Sequence, residues 1–169
     1  MKTISVRFDR VERDTLPGLL EENAVSVNAY AEEFFSHPSF GSETGKGMAP
    51  VVIASLAELG FEDGATSQEI LERIPFLGLK PCRSAAGLYL RLAWKDQPKS
   101  RNSILSGQHH APDGSVTVFS IPLEQDDSFP KGLYLRNVDG RLWLRGYVCD
   151  ASYRWSCDDF LAFELPEKL

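Results

Sequence analysis

Hydrophobic and polar positions alternate with period two at the start of the chain, where Ile4, Val6 and Phe8 interleave with Thr3, Ser5, Arg7 and Asp9. That alternation predicts a half-buried strand. A first helix is expected within Asp14–Asn23, with Pro17-Gly18 tolerable only in its first turn. Ser26 then reads as the cap of a second helix, because Val27, Tyr30, Ala31, Phe34 and Phe35 fall on one helical face, and His37-Pro38 ends it. Phe40 to Pro50 is glycine-rich and polar, the composition of a loop. Over 50–61, periodicity does not separate strand from helix; the segment reads as starting extended and finishing as a short helix stopped by Gly60. Thr66-Ser67-Gln68-Glu69 is a capping box, so Ile70, Leu71 and Ile74 belong to a third helix ending near Pro75–Gly78.

From Gly87 onward the pattern changes. Leu88–Trp94, Ile104–His109, Val116–Leu123, Leu133–Val138, Arg141–Val148 and Phe160–Leu165 read as strands, with turns at Asp96-Gln97-Pro98, Asp113-Gly114 and Asp139-Gly140. The last turn is the strongest, since both central residues of the favoured two-residue hairpin turn need positive φ. It sets Val138 opposite Arg141, Arg136 opposite Trp143, Leu135 opposite Leu144 and Tyr134 opposite Arg145. One face then carries Leu133, Leu135, Leu142 and Leu144, with Asn137 at the turn end. The other carries Tyr134, Arg136, Val138, Arg141, Trp143 and Arg145. A three-residue loop would mix leucines and arginines on both faces, so the pattern favours the shorter turn. Helices first and strands afterwards predict an α+β domain, an N-terminal strand and about three helices on a C-terminal antiparallel sheet of five to six strands. At 169 residues this is one domain, 1–169, with a conceivable division into a mainly helical 1–80 and a β meander 81–169.

Composition narrows the classes. The chain is 43% hydrophobic and 25% charged, as in ordinary globular proteins, and no apolar run approaches the ~20 residues needed to cross a bilayer. The N-terminus lacks the apolar core of a signal peptide, and the three cysteines have no framework spacing, so a reducing cytoplasm is expected. A net charge of −6 and a pI near 5.1 disfavour a dedicated nucleic-acid binder. The charge is uneven. Lys131 to Trp155 holds five basic residues against two acidic ones, +3, which leaves −9 for the rest. A basic strip on an acidic protein suits a modest anionic partner or the protein's own acidic half.

Several familiar motifs fail. Gly41-Ser42-Glu43-Thr44-Gly45-Lys46-Gly47 has three residues where a phosphate loop needs four, and a glycine where it needs Ser or Thr. His109-His110 with Asp113 cannot converge on a metal from adjacent strand positions, which point to opposite faces, and seven residues separate Cys149 from Cys157, unlike a zinc pair. Neither Asp158-Asp159 nor Glu124-Gln125-Asp126-Asp127 reads as more than a solvated carboxylate pair. No cofactor or metal is expected.

Ala57-Glu58-Leu59-Gly60-Phe61, Glu69-Ile70, Leu77-Gly78-Leu79 with Cys82, and Leu90-Arg91-Leu92 followed by Asp96-Gln97-Pro98 resemble a family of short, functionally uncharacterised bacterial proteins. The Asn28–Phe40 helix and Leu142-Trp143-Leu144 fit it more loosely. The chain departs at Ser84-Ala85-Ala86, where relatives tend to have an acidic residue and Val-Gly-Pro, and at Glu164-Leu165-Pro166-Glu167, which replaces a basic tail. The family carries no known activity. The resemblance therefore implies an intact bacterial domain and adds no catalytic residue.

Three functions compete. The first is a binding module that uses Tyr134, Arg136, Arg141, Trp143 and Arg145 to hold a protein or a small anionic ligand, arginine and aromatics being the residue types of binding hot spots. Arg136 opposite Trp143 also permits a cation–π contact. The second is a small hydrolase or transferase with a pocket between helices and sheet, drawing on Cys82, Arg91, Asp96, Gln97 and His109, although no spacing joins these into a mechanism. The third is a DNA-binding regulator of ribbon-helix-helix type, with Thr3, Ser5 and Arg7 in the major groove.

Overall fold

The computed structural model describes residues 1–43, 45–104 and 111–166. Their centre is a seven-stranded sheet built from both halves of the chain. Its strands are β1 (Lys2–Phe8), β2 (Val25–Val27), β3 (Gly47–Ser55), β5 (Val116–Val118), β6 (Gly132–Val138), β7 (Arg141–Tyr147) and β9 (Phe160–Glu164), in the spatial order β1-β3-β9-β5-β6-β7-β2. A two-stranded ribbon pairs β4 (Ala65–Thr66) with β8 (Arg154–Trp155). The helices are α1 (Leu16–Glu22), α2 (Ala29–Ser36), α3 (Ser67–Arg73) and α4 (Ala86–Ala93).

The α+β class is as expected, but the sheet is mixed rather than antiparallel. β2 runs parallel to β7, and β9 runs parallel to β5. Both parallel pairings join segments distant in sequence, as the antiparallel β3–β9 pairing also does, whereas the β6–β7 hairpin is antiparallel because a two-residue turn allows nothing else. β1 and β3, from before residue 80, join the same sheet as β9, from after it.

Two cores sit on opposite faces. Val6, Phe8, Val51, Ile53, Val116, Val118, Leu133, Leu135 and Leu144 pack beneath residues of α1, α2 and α4. Val52, Ala54, Leu161 and Phe163 face Ile70, Ile74 and Trp155 on the other side. β3 and β9 are thus buried on both faces, which turns their sequence into continuous apolar runs and erases the alternation that marks a strand. This explains why periodicity over 50–61 was mute. The segment does begin as strand and end in a short 3-10 turn, Ala57–Leu59, with Gly60 at positive φ.

Three local expectations are corrected. Leu88–Trp94 is not a strand: Ala86–Ala93 is helix α4, buried at Ala86 through Arg91. Leucine at 88, 90 and 92 alternates with Tyr89 and Arg91, so over these five residues the helix imitates the period of a strand. Ser26 does not cap α2. It lies in β2, and Asn28 is the cap, accepting a hydrogen bond from the Ala31 N–H at 2.9 Å. The strand foreseen over Val116–Leu123 ends at Val118, and β3 already begins within the expected loop, at Gly47. The capping box at Thr66 and Glu69 forms in both directions. Apart from Ile104, which is not in a strand, the Ile104–His109 strand lies outside the described residues.

The hairpin has the predicted register at every pair, and Asp139 and Gly140 both adopt positive φ, 54° and 86°. One further position needs glycine. At Gly146 a Cβ would sit 2.5 Å from the Tyr30 carbonyl carbon, because the start of α2 lies directly on β7. There the Asn28 side chain acts as an extra peptide group, donating to Gly146 O at 3.0 Å and accepting from Gly146 N at 2.8 Å. That pairing carries the β2 edge on into the α2 cap.

Candidate functional site

The arginine and aromatic side of the hairpin forms as patterned, but it divides into a covered half and an open half. Arg136 is 1% exposed. Its guanidinium donates to the carbonyls of Asn102 (2.8 Å), Ile104 (2.6 Å) and Asp113 (3.1 Å) and to the Ser100 hydroxyl (3.0 Å). Five donors in a rigid fork suit that clamp. Arg136 therefore holds residues 100–104 and Asp113 onto the sheet and offers nothing to a partner, contrary to its place in the expected binding surface. Nor does it stack on Trp143. The Trp143 ring instead meets Arg145 at 4.9 Å and Arg141 at 5.7 Å, its strand neighbours on the same face.

The open half is centred on Arg145. Its Nε donates to the Tyr134 phenol oxygen at 2.8 Å, and among the described residues no carboxylate pairs with it. Arg141 is exposed, Trp143 half-buried and Tyr134 buried. Beside Arg145 lies a cavity of about 340 Å³. Thr117, Tyr134 and Arg145 form its floor, adjacent in register on β5, β6 and β7, followed by Tyr147 two residues along β7. Tyr153, Trp155, Ala111, Pro112, Asn28 and Tyr30 also line it. The rings follow one another: Tyr134 to Tyr147 at 6.5 Å, Tyr147 to Trp155 at 6.4 Å, Trp155 to Tyr153 at 5.0 Å, the last two edge-to-face. Arg145 is the one charged residue in the lining among the described residues. Burial pushes the Tyr147 phenol far above its ordinary range and the Tyr153 phenol up to about 12, so both stay neutral near pH 7.

Of the residues suggested for catalysis, Arg91 and Gln97 bond to each other. Cys82 is 4% exposed, its thiol donates to the Ala162 carbonyl at 3.4 Å, and burial, then the nearby Glu164 carboxylate, raises its pKa well above the ordinary value. Such a thiol is a poor nucleophile. Arg91 is wholly buried in the core, bonded to Gln97 Oε1 and the Trp94 carbonyl, and burial lowers its pKa to about 10. Gln97, buried beside it, donates to the carbonyls of Gly114 and Leu135. The Asp96-Gln97-Pro98 turn is thus a staple of the core, with Asp96 in solvent. His109 lies outside the described residues. No group of three or more His, Cys, Asp or Glu poised to hold a metal occurs among the described residues.

The DNA-binding alternative needed a strand followed directly by two helices. Here β1 is paired with β3 at the edge of the seven-stranded sheet, and β2 separates α1 from α2. No helix is long and apolar enough to cross a membrane among the described residues.

Tyr147, Tyr153, Trp155 and Thr117 are site residues that reading the sequence missed. Tyr147 was within reach, as the next same-face position after Arg145 in an established strand. Tyr153 and Trp155 arrive from an irregular segment and β8, where no local pattern announces them. Comparison of the chain with protein-family models, with curated proteins and with solved structures returns no match.

Proposed function

We propose that this protein is a binding module that holds an anionic partner on the open half of its β6–β7 face, with Arg145 as the reading cation and Arg141, Trp143 and Tyr134 around it. One observation carries the reading. Arg145 lines a cavity and, among the described residues, spends only Nε on a phenol oxygen, in a chain of net charge −6 whose many carboxylates do not claim it there. A guanidinium so placed, stacked on Trp143, is the donor type that recognises carboxylate, sulfonate or phosphate oxygens through paired bonds. Arg136 supplies the contrast, being saturated by its own chain.

The test is nuclear magnetic resonance titration of the labelled full chain with three anionic probes: inorganic sulfate, a hexaglutamate peptide and naphthalene-2-sulfonate. At least one is expected to shift the Arg145 Nε–H and Trp143 indole resonances at millimolar concentration while leaving Arg136 Nε–H in place. Unmoved Arg145 and Trp143 signals with all three would overturn the reading.

A further inference from the structure

We infer that the cavity beside Arg145 takes a small planar aromatic anion, its ring held among Tyr134, Tyr147, Tyr153 and Trp155 and its acidic group against Arg145. This rests on the binding role proposed above and narrows it to one ligand class.

Size comes first. About 340 Å³ lies near the lower end of the range for small-molecule sites, roughly 300–1,000 Å³, and suits a compact molecule. A wider cleft of about 610 Å³ shares Val148, Cys149, Tyr153 and Trp155 with it. The walls argue for a ring. Four aromatic side chains follow one another with centroids 5.0 to 6.5 Å apart and tilts of 56° to 85°, so a guest would meet both ring faces and ring edges. Flat guests gain most from such walls, by offset stacking and edge contacts.

The polar groups argue for an anion. Tyr134 accepts from Arg145 Nε, so its own phenolic hydrogen remains to donate, alongside the terminal nitrogens of Arg145. Thr117 stands beside Tyr134 in the register and adds a hydroxyl to the same floor. These donors are neighbours across three strands in a cavity otherwise lined largely by aromatic side chains. With the Tyr147 and Tyr153 phenols neutral, nothing among the described lining residues repels a negative guest. A neutral ring would leave the guanidinium unanswered, and an anion without a ring would leave the aromatic walls unfilled.

A matched set of probes decides it: naphthalene-2-sulfonate, its uncharged analogue naphthalene-2-sulfonamide, and inorganic sulfate, measured by titration calorimetry on the full chain and by quenching of the tryptophan emission to which Trp155 contributes. The sulfonate is expected to bind one to one and at least about tenfold more tightly than the sulfonamide, the effect of one charge-assisted hydrogen bond, with sulfate unable to compete. Arg145→Gln should erase the difference between sulfonate and sulfonamide, and Tyr153→Ala should weaken both alike. If the glutamine variant fails to fold, Arg145→Lys, which keeps the charge and loses the fork, should narrow the gap instead. Equal affinity of sulfonate and sulfonamide, effective competition by sulfate, or a gap unchanged in the Arg145 variants would overturn the inference. Binding of hexaglutamate with no binding of either naphthyl probe would also overturn it while sparing the broader anion-binding role. Silence from every probe would end both.

Discussion

Arg136 and Arg145 share one face of one hairpin, and their replacement should have opposite consequences. Arg136→Ala removes donors to three backbone carbonyls and one hydroxyl, all within 2.6 to 3.1 Å. A hydrogen bond to a charged group is worth roughly 1.5–3 kcal/mol, but four in one network do not add. Asn102 and Ile104 lie at the surface and recover water once the clamp is gone, and the variant no longer bears the cost of keeping a cation 1% exposed. The expected net loss is about 3 kcal/mol, or roughly 6–12 °C in Tm at this chain length. Urea unfolding gives the free energy, and hydrogen exchange should show the amides of residues 100–104 losing protection first. Arg145→Gln gives up one bond to a phenol and a stacking contact, so it should cost only about 1 kcal/mol while removing anion binding. An Arg136→Ala protein within about 0.5 kcal/mol of the parent, with unchanged exchange over 100–104, would refute the clamp.

Gly146→Ala should destabilise the fold by about 1–3 kcal/mol, because the new methyl meets the backbone of Tyr30 and Ala31 rather than a yielding side chain. A thermal melt that matches the parent would show that α2 can retreat from β7. Acidification should weaken the fold. Glu69 is held below its ordinary 4.5 first by the Thr66 N–H, Asp113 below 3.8 first by the Arg101 side chain, and Asp126 below 3.8 first by the Ser128 N–H. The unfolded chain therefore binds protons more readily, so the stability these groups contribute is complete above about pH 4.5 and is lost as pH falls through and below 4. Urea midpoints that stay flat between pH 6 and pH 3 would contradict this.

The parts legible in the sequence were those governed by neighbouring residues. The Asp139-Gly140 turn set the hairpin and every pair in it, since two residues at positive φ admit one register when leucines must share a face. Thr66 with Glu69 marked the start of α3. Periodicity misled at α4, where leucines alternate with Tyr89 and Arg91, and was silent over the buried half of β3, because it reports the contrast between a wet and a dry face. Ser26 was misread for another reason: its segment pairs with β7 more than a hundred residues away, and Asn28 takes the cap while also bonding Gly146 of β7.

Arg136 and Arg145 carry the same side chain on the same face, nine residues apart, and their surroundings in the sequence do not distinguish clamp from reader. The chain by itself determined its α+β class, the hairpin and the chemistry of each hairpin face, because those follow from backbone sterics and side-chain alternation over a few residues. Only the tertiary structure decided the sheet order, the parallel pairings and which arginine stays available. Which arginine stays available depends on where residues 100–104, 111–113 and 148–156 come to rest, which contacts across the fold determine rather than any neighbour in the chain.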